Sequence, residues 1–198
     1  IKKMHALLNV AVIAAHRAGD SLIRNLNKLE KIKSKVTLKG RNDFVSEADV
    51  VAEKIAIETI LRHYPDHAIL AEESGQQGES DYLWIIDPLD GTTNFLHGFP
   101  NFCVSIALMH EKKLIHAAVY DPIRQELFTA SEGQGAQLDG RKIRVSGERN
   151  LNRALIGTGF PYRDSNKATK PYMNMLQIAI EETAGVRRPG SAALDLCY

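Results

Sequence analysis

The sequence predicts an α+β fold with a large sheet, and three observations predict it. Apolar residues near the N-terminus recur at spacings of three and four. Apolar runs between residues 102 and 145 are broken by turn signals at strand-like intervals, and a short buried run at residues 83–86 leads into two carboxylates.

Met4, Leu7, Leu8, Ala11, Val12, Ala15, Ala18, Leu22, Ile23 and Leu26 share one face of a long amphipathic helix. This helix is scaffold: His5 and His16 have no spaced Cys or carboxylate partner and read as packing or surface residues. The basic run at residues 28–35 is the solvated end of that helix and its loop, where Lys suits the helix dipole. Lys39-Gly40-Arg41-Asn42-Asp43-Phe44-Val45 reads as a loop entering a short extended piece. Ser46-Glu47-Ala48-Asp49 then resembles a capping box, opening a helix that reaches Arg62 or His63 before Pro65, with Val50, Ile57, Ile60 and Leu61 inside. Residues 67–73 form a second apolar run ending in acids, and residues 76–81 an exposed loop or hairpin tip.

Residues 102–110 and 114–120 predict an antiparallel pair, and residues 126–131 another strand. Asp139-Gly140 joins 136–138 to 142–145 as a hairpin. The sheet is therefore mostly antiparallel. After a polar linker come a strand at 154–158, a helix at about 168–183 and a helix start at Ser191, which together read as the opening of a second α/β lobe. The boundaries are 1–150 for an N-terminal α+β lobe and 151–198 for the start of the second.

The chain has 198 residues, 44% of them hydrophobic, enough for a substantial core. Its formal charge of +1, from 25 basic and 24 acidic residues, argues against a polyanion binder, so no direct nucleic-acid partner is expected. Cys103 and Cys197 are the only cysteines, which excludes a disulfide framework and fits a cytoplasmic location. No stretch is expected to supply the ~20 apolar residues of a membrane span.

The chemistry concentrates in Trp84-Ile85-Ile86-Asp87-Pro88-Leu89-Asp90-Gly91-Thr92-Thr93-Asn94-Phe95. Pro88 has no N–H, so the strand is expected to stop pairing there and leave Asp87 and Asp90 on a bend. Two carboxylates this close repel unless a proton or cation lies between them, and Mg²⁺ is the simplest hard cation for oxygen ligands. Gly91 to Asn94 offer N–H groups and hydroxyls that suit phosphate. A structural alternative stands beside this: Asp-Pro and Asp-Gly are also ordinary turn residues, and Ser46 and Asp49 have a sufficient role as caps. The second acidic strand end, Glu72-Glu73-Ser74-Gly75, favours a shared crevice. Ser74 lacks a nucleophile-elbow context, His110 and His116 lack an acid partner, and the role of Arg187 and Arg188 stays open.

From Trp84 to His97 the chain resembles the signature of the inositol monophosphatase family, with its Asp-Pro-hydrophobic-Asp-Gly-Thr core. Glu72-Glu73-Ser74 resembles the family's upstream acidic element, Gly190-Ser191-Ala192-Ala193 its substrate-side loop, and the whole is most similar to the bacterial inositol-1-monophosphatase branch. The resemblance implies an alternating αβαβα sandwich and Mg²⁺-dependent hydrolysis of inositol 1-phosphate or a related polyol phosphate, with a bisphosphatase of the same superfamily as the alternative. In it Glu72, Asp87 and the Leu89 carbonyl hold one Mg²⁺ with Thr92 nearby, and Asp87 and Asp90 share a second. Glu72 and Thr92 orient the attacking water, and Gly91, Thr92 and Thr93 receive the phosphate. Asp90, Gly190, Ser191 and Ala192 meet the polyol, while Lys39, Asp43 and Asp49 support the site. The family's further metal carboxylate, on a Trp-Asp pair, is expected beyond position 198, leaving the C-terminal lobe incomplete in this chain. A homodimer and proteins of transcription antitermination are the implied partners.

Overall fold

The computed structural model describes residues 5–26, 28, 37–39, 43–45, 47–161 and 166–198. Helix α1, Ala6–Leu26, is 21 residues long and buries Ala11, Ala14, Ala15, Ala18 and Leu22. By length and composition alone it is apolar enough to cross a membrane, which corrects the expectation that no such stretch exists. Here its apolar face covers other elements of the fold instead. Met4, and all of the 28–35 run except Lys28, lie outside the described residues.

A short antiparallel hairpin follows, β1 Thr37–Lys39 with β2 Asp43–Val45, placing Lys39 opposite Asp43. Helix α2, Glu47–His63, buries Ala48, Asp49, Ala52, Glu53, Ala56, Thr59 and Ile60. Val50, expected inside, is 47% exposed. The α1–α2 seam is built from alanines, whose small side chains let the helices approach closely, so the buried face of α2 is its alanine face rather than its valine face.

The main sheet has eight strands in the order β10-β9-β8-β7-β6-β5-β3-β4. They are β3 Ala68–Ala71, β4 Gly75–Gln77, β5 Tyr82–Asp90, β6 Cys103–His110, β7 Lys113–Asp121, β8 Glu126–Ser131, β9 Gly135–Leu138 and β10 Arg141–Lys142. The 102–145 region is the antiparallel ladder its turn signals predict, although β10 ends at Lys142. Gln76 and Gln77, expected in a loop tip, pair with Leu70 and Ile69 as an edge strand. Among the described residues, β3 and β5 are the parallel pair of this sheet.

Alternation along β6 sorts the core onto two faces. Val104, Ile106 and Leu108 pack with α1 and α2, while Cys103 on the other face packs with Phe128 and Leu194. Leu194 belongs to α5, Ala192–Cys197, which lies against β6 and β7. Beyond it, β11 Leu155–Gly157 pairs in parallel with β12 Gly185–Arg187, and α4, Asn166–Glu182, packs on β12. The layers are thus a helix pair, the large sheet, α5, a small sheet and α4.

Candidate active site

The site exists because β3 and β5 run side by side in the same direction. Ala71 pairs with Ile86, so the acids that follow each strand emerge at one edge of the sheet. An antiparallel pair would have sent them to opposite edges. The Glu72 N–H continues the ladder by donating to the Ile86 carbonyl at 3.1 Å.

Strand β5 does not end at Pro88 as expected. Asp87 pairs with Ser105 and pairing resumes between Asp90 and Cys103, so β5 carries one extra residue as a bulge. Pro88, which has no N–H to donate, sits inside that bulge, where a ladder bond is already missing. The bulge keeps Asp87 and Asp90 on a continuous strand while turning them differently. Asp87 Oδ1 accepts the Leu89 N–H at 3.1 Å, and the Glu72 carboxyl is the strongest acidic influence on it. Asp90 turns toward α5, where its Oδ2 accepts the Ser191 hydroxyl and the Ala193 N–H, both at 2.7 Å.

Gly91 then turns the chain into α3, Thr92–His97, with φ +100°. A Cβ there would lie 3.0 Å from the Asn101 carbonyl oxygen and 3.1 Å from Phe102 Cβ, so both the backbone angle and the space demand glycine. The Thr92 hydroxyl donates to the Leu89 carbonyl at 3.0 Å, with Asp49 Oδ2 at 3.5 Å. Thr93 is exposed. Asn94 reaches the substrate-side loop: Nδ2 donates to the Asn101 carbonyl at 2.7 Å and to the Pro189 carbonyl at 2.8 Å.

The electrostatics are those of acids crowded at one edge of the sheet. Burial pushes Asp49 up to about 8, and Glu73, Glu72, Asp87 and Glu53 push in the same direction. Asp87 is raised well above the carboxylate range by burial, then by Glu72 and Asp90. Carboxylates this close repel unless a proton or a cation neutralises them, and a divalent cation would serve both. All the side-chain donors are hard oxygens, the set Mg²⁺ prefers. Glu72, Asp87 and the Leu89 carbonyl therefore fit the metal. Among the described residues no three acids, histidines or cysteines are gathered as a finished metal cluster. Asp90 commits its Oδ2 to α5, so its Oδ1 is the oxygen it could offer a cation.

Several expected residues meet here and some do not. Glu72, Asp87, Leu89, Asp90, Gly91, Thr92 and Asp49 converge, and Gly190 abuts Asn94, which a Cβ on that glycine would approach to 3.0 Å. Ser191, expected to contact a polyol, is fully buried with its hydroxyl on Asp90. Ala192 is exposed beside it. The side chains of Lys39 and Asp43 lie outside the described residues; β2 itself approaches α3. Sequence reading missed Glu53 and Asn101. For Glu53 the signal was present: with Asp49, Ala56 and Ile60 it falls at the spacing of one buried helix face.

A layered α/β protein with an acidic crevice where parallel strands end is the class this geometry defines. The inositol monophosphatase family model matches residues 3–198. The Nus factor SuhB of Pseudomonas aeruginosa is 49% identical over 200 residues, covering 98% of this chain and 73% of the relative. The crystal structure of the extragenic suppressor protein suhB from Bartonella henselae superposes with a TM-score of 0.93 at 44% identity, covering 98% of this chain and 74% of that one. An inositol monophosphatase from Anabaena (Nostoc) sp. PCC 7120 superposes with a TM-score of 0.80 at 41% identity, covering 96% and 68%. The chain belongs to the inositol monophosphatase family.

Proposed function

We propose that this protein is a Mg²⁺-dependent phosphomonoester hydrolase acting on inositol 1-phosphate or a related polyol phosphate. The observation that carries the reading is the convergence of Glu72 and Asp87 at the ends of two parallel strands, beside the Leu89 carbonyl and the Thr92 hydroxyl. Asp90 completes the donor set, and when bound Mg²⁺ would supply charge neutralisation and a more acidic water. The Thr92 proton is committed to Leu89, so its oxygen is left to accept from the attacking water, with Glu72 as the second acceptor. The N–H groups of Gly91, Thr92 and Thr93 are the donors for phosphoryl oxygens, since the first amides of a helix lack intrahelical acceptors. Asp90, Gly190 and Ala192 form the polyol side, with Ser191 holding Asp90. Lys39, Asp43 and Asp49 support the site from the hairpin and α2. In this reading the crevice lies between lobes 1–150 and 151–198, and the working form is a cytoplasmic homodimer.

The test is hydrolysis of inositol 1-phosphate with Mg²⁺ against EDTA, for the wild-type chain and Asp87→Asn. Turnover should need Mg²⁺ and fall at least about a hundredfold in the variant. Metal-independent turnover, or none at any Mg²⁺ level, would overturn the assignment; preference for a bisphosphate in a substrate panel would move it within the superfamily. The Nus factor names of the relatives favour a second reading, a scaffold in transcription antitermination with catalysis secondary. Undiminished capture of antitermination proteins by Asp87→Asn would support it.

A further inference from the structure

We propose that Glu53 is the positioning residue for Glu72, a buried two-donor clamp that fixes the turn from which the candidate metal ligand projects. The inference rests on the reading of Glu72 as a Mg²⁺ ligand. Glu53 lies on α2 and is 3% exposed. Its Oε2 accepts the Glu73 N–H at 2.7 Å and its Oε1 accepts the Ser74 N–H at 2.9 Å. Each carboxylate oxygen therefore holds one of two successive amides, directly after Glu72. On the other side, the Glu72 N–H is held by the Ile86 carbonyl at 3.1 Å. The Glu72 backbone is thereby pinned from both directions, by the sheet and by α2.

The residue type follows from the donors. Two adjacent N–H groups need two acceptor oxygens on one rigid head. Glutamine brings one oxygen and an NH₂ that would face an N–H, and aspartate is one methylene short. The charge-assisted bonds also offset the cost of burying a carboxylate next to Asp49, whose carboxyl feels Glu53 as a repulsive neighbour. One turn earlier on the same face, Asp49 approaches the Thr92 hydroxyl. Helix α2 thus organises both halves of the crevice, Asp49 the Thr92 side and Glu53 the Glu72 side. A ligand held by such outer contacts binds its metal with a fixed geometry, and loss of the contact typically weakens the metal about 10–100-fold.

The test compares Mg²⁺ binding by calorimetry, and the thermal shift Mg²⁺ produces, in the intact wild-type chain, Glu53→Gln and Leu22→Ala. Leu22 is fully buried on α1 and makes no part of the site, so its variant reports the effect of lost stability alone. Glu53→Gln should weaken Mg²⁺ about 10–100-fold, while Leu22→Ala lowers the melting temperature in EDTA and leaves Mg²⁺ affinity within about twofold. Should Glu53→Gln fail to fold, Glu53→Asp carries the same test, because it keeps the charge and loses the reach. Equal Mg²⁺ affinity in wild type and the Glu53 variant overturns the proposal, as does an equal loss in Leu22→Ala. A folded wild-type chain with no Mg²⁺ affinity overturns the reading of Glu72 itself, a result distinguishable from the other two.

Discussion

His67 cannot take up a second proton without releasing Trp84. The indole N–H of the buried Trp84 donates to His67 Nδ1 at 3.0 Å, which requires that nitrogen to keep its lone pair. The imidazole is stacked between Tyr64 and Tyr82, with ring centroids 4.7 and 4.6 Å away. Burial lowers its pKa, against the opposing pull of Asp66. A histidine with a depressed folded pKa contributes stability above the unfolded value and loses it as pH falls through the folded one. Trp84 is the chain's single tryptophan, so its emission reports the surroundings of this hydrogen bond. We expect emission to change on acidification with a midpoint below the ordinary histidine value of about 6.5, and His67→Gln to abolish the change. A flat wild-type profile, or an unchanged one in the variant, would contradict this. His67 itself was easy to see in the sequence, but its partner seventeen positions away was not, because a side-chain hydrogen bond between α2's exit and β5 leaves no periodic trace.

Helix α3 is short, and its neighbours fix it more than its own hydrogen bonds do. Left-handed glycines bound it, Gly91 at φ +100° and Gly98 at φ +72°. Between them, Asn94 spends both amide hydrogens on carbonyls of different segments, Asn101 before β6 and Pro189 before α5. Asn101 adds its own bond to Pro189 at 3.3 Å. The loop that begins at Gly190 is therefore placed by α3. Replacing Asn94 by Asp sets a carboxylate against two carbonyl oxygens with no donor between them. It should cost about 2–4 kcal/mol in urea denaturation, more than Asn94→Ala, which merely leaves the carbonyls short of a donor. An aspartate variant as stable as the alanine one would show that Asn94 does not clamp the loop. The Gly-Thr-Thr-Asn stretch was legible as a turn into a helix because turn chemistry is local. Its bridge to residue 189 depends on two segments that meet only in the folded chain.

Across the whole molecule, the acid crevice couples folding to pH. Asp49 rises from 3.8 to about 8, and Asp87 moves in the same direction. Between those limits the folded chain holds protons that the unfolded chain has released. Their contribution to stability is therefore complete below the unfolded value and is lost as pH climbs through the folded one. On the proposed function, Mg²⁺ would need ionised acids and would have to displace such protons, so its binding would strengthen over the same window. The Mg²⁺-induced rise in melting temperature should thus be larger at about pH 8.5 than at about pH 6, and Asp87→Asn should flatten the difference. A shift independent of pH would place Mg²⁺ away from this crevice.

Local chemistry was enough to find the long first helix, the antiparallel ladder after residue 102, the acidic ends at Glu72 and Asp87, and the glycine turn at Gly91. Each is written in spacing or turn residues within a dozen positions, where backbone geometry is governed by near neighbours. Other features depended on segments far apart in the chain. The parallel pairing of β3 with β5 makes two acidic ends one site, Glu53 crosses from α2 to the Glu72 turn, and Ser191 turns inward to Asp90. Val50 stayed outside because the alanine seam with α1 decides which face of α2 is buried. These outcomes follow from close packing and from the need of buried polar groups for partners, and both act between elements rather than along them.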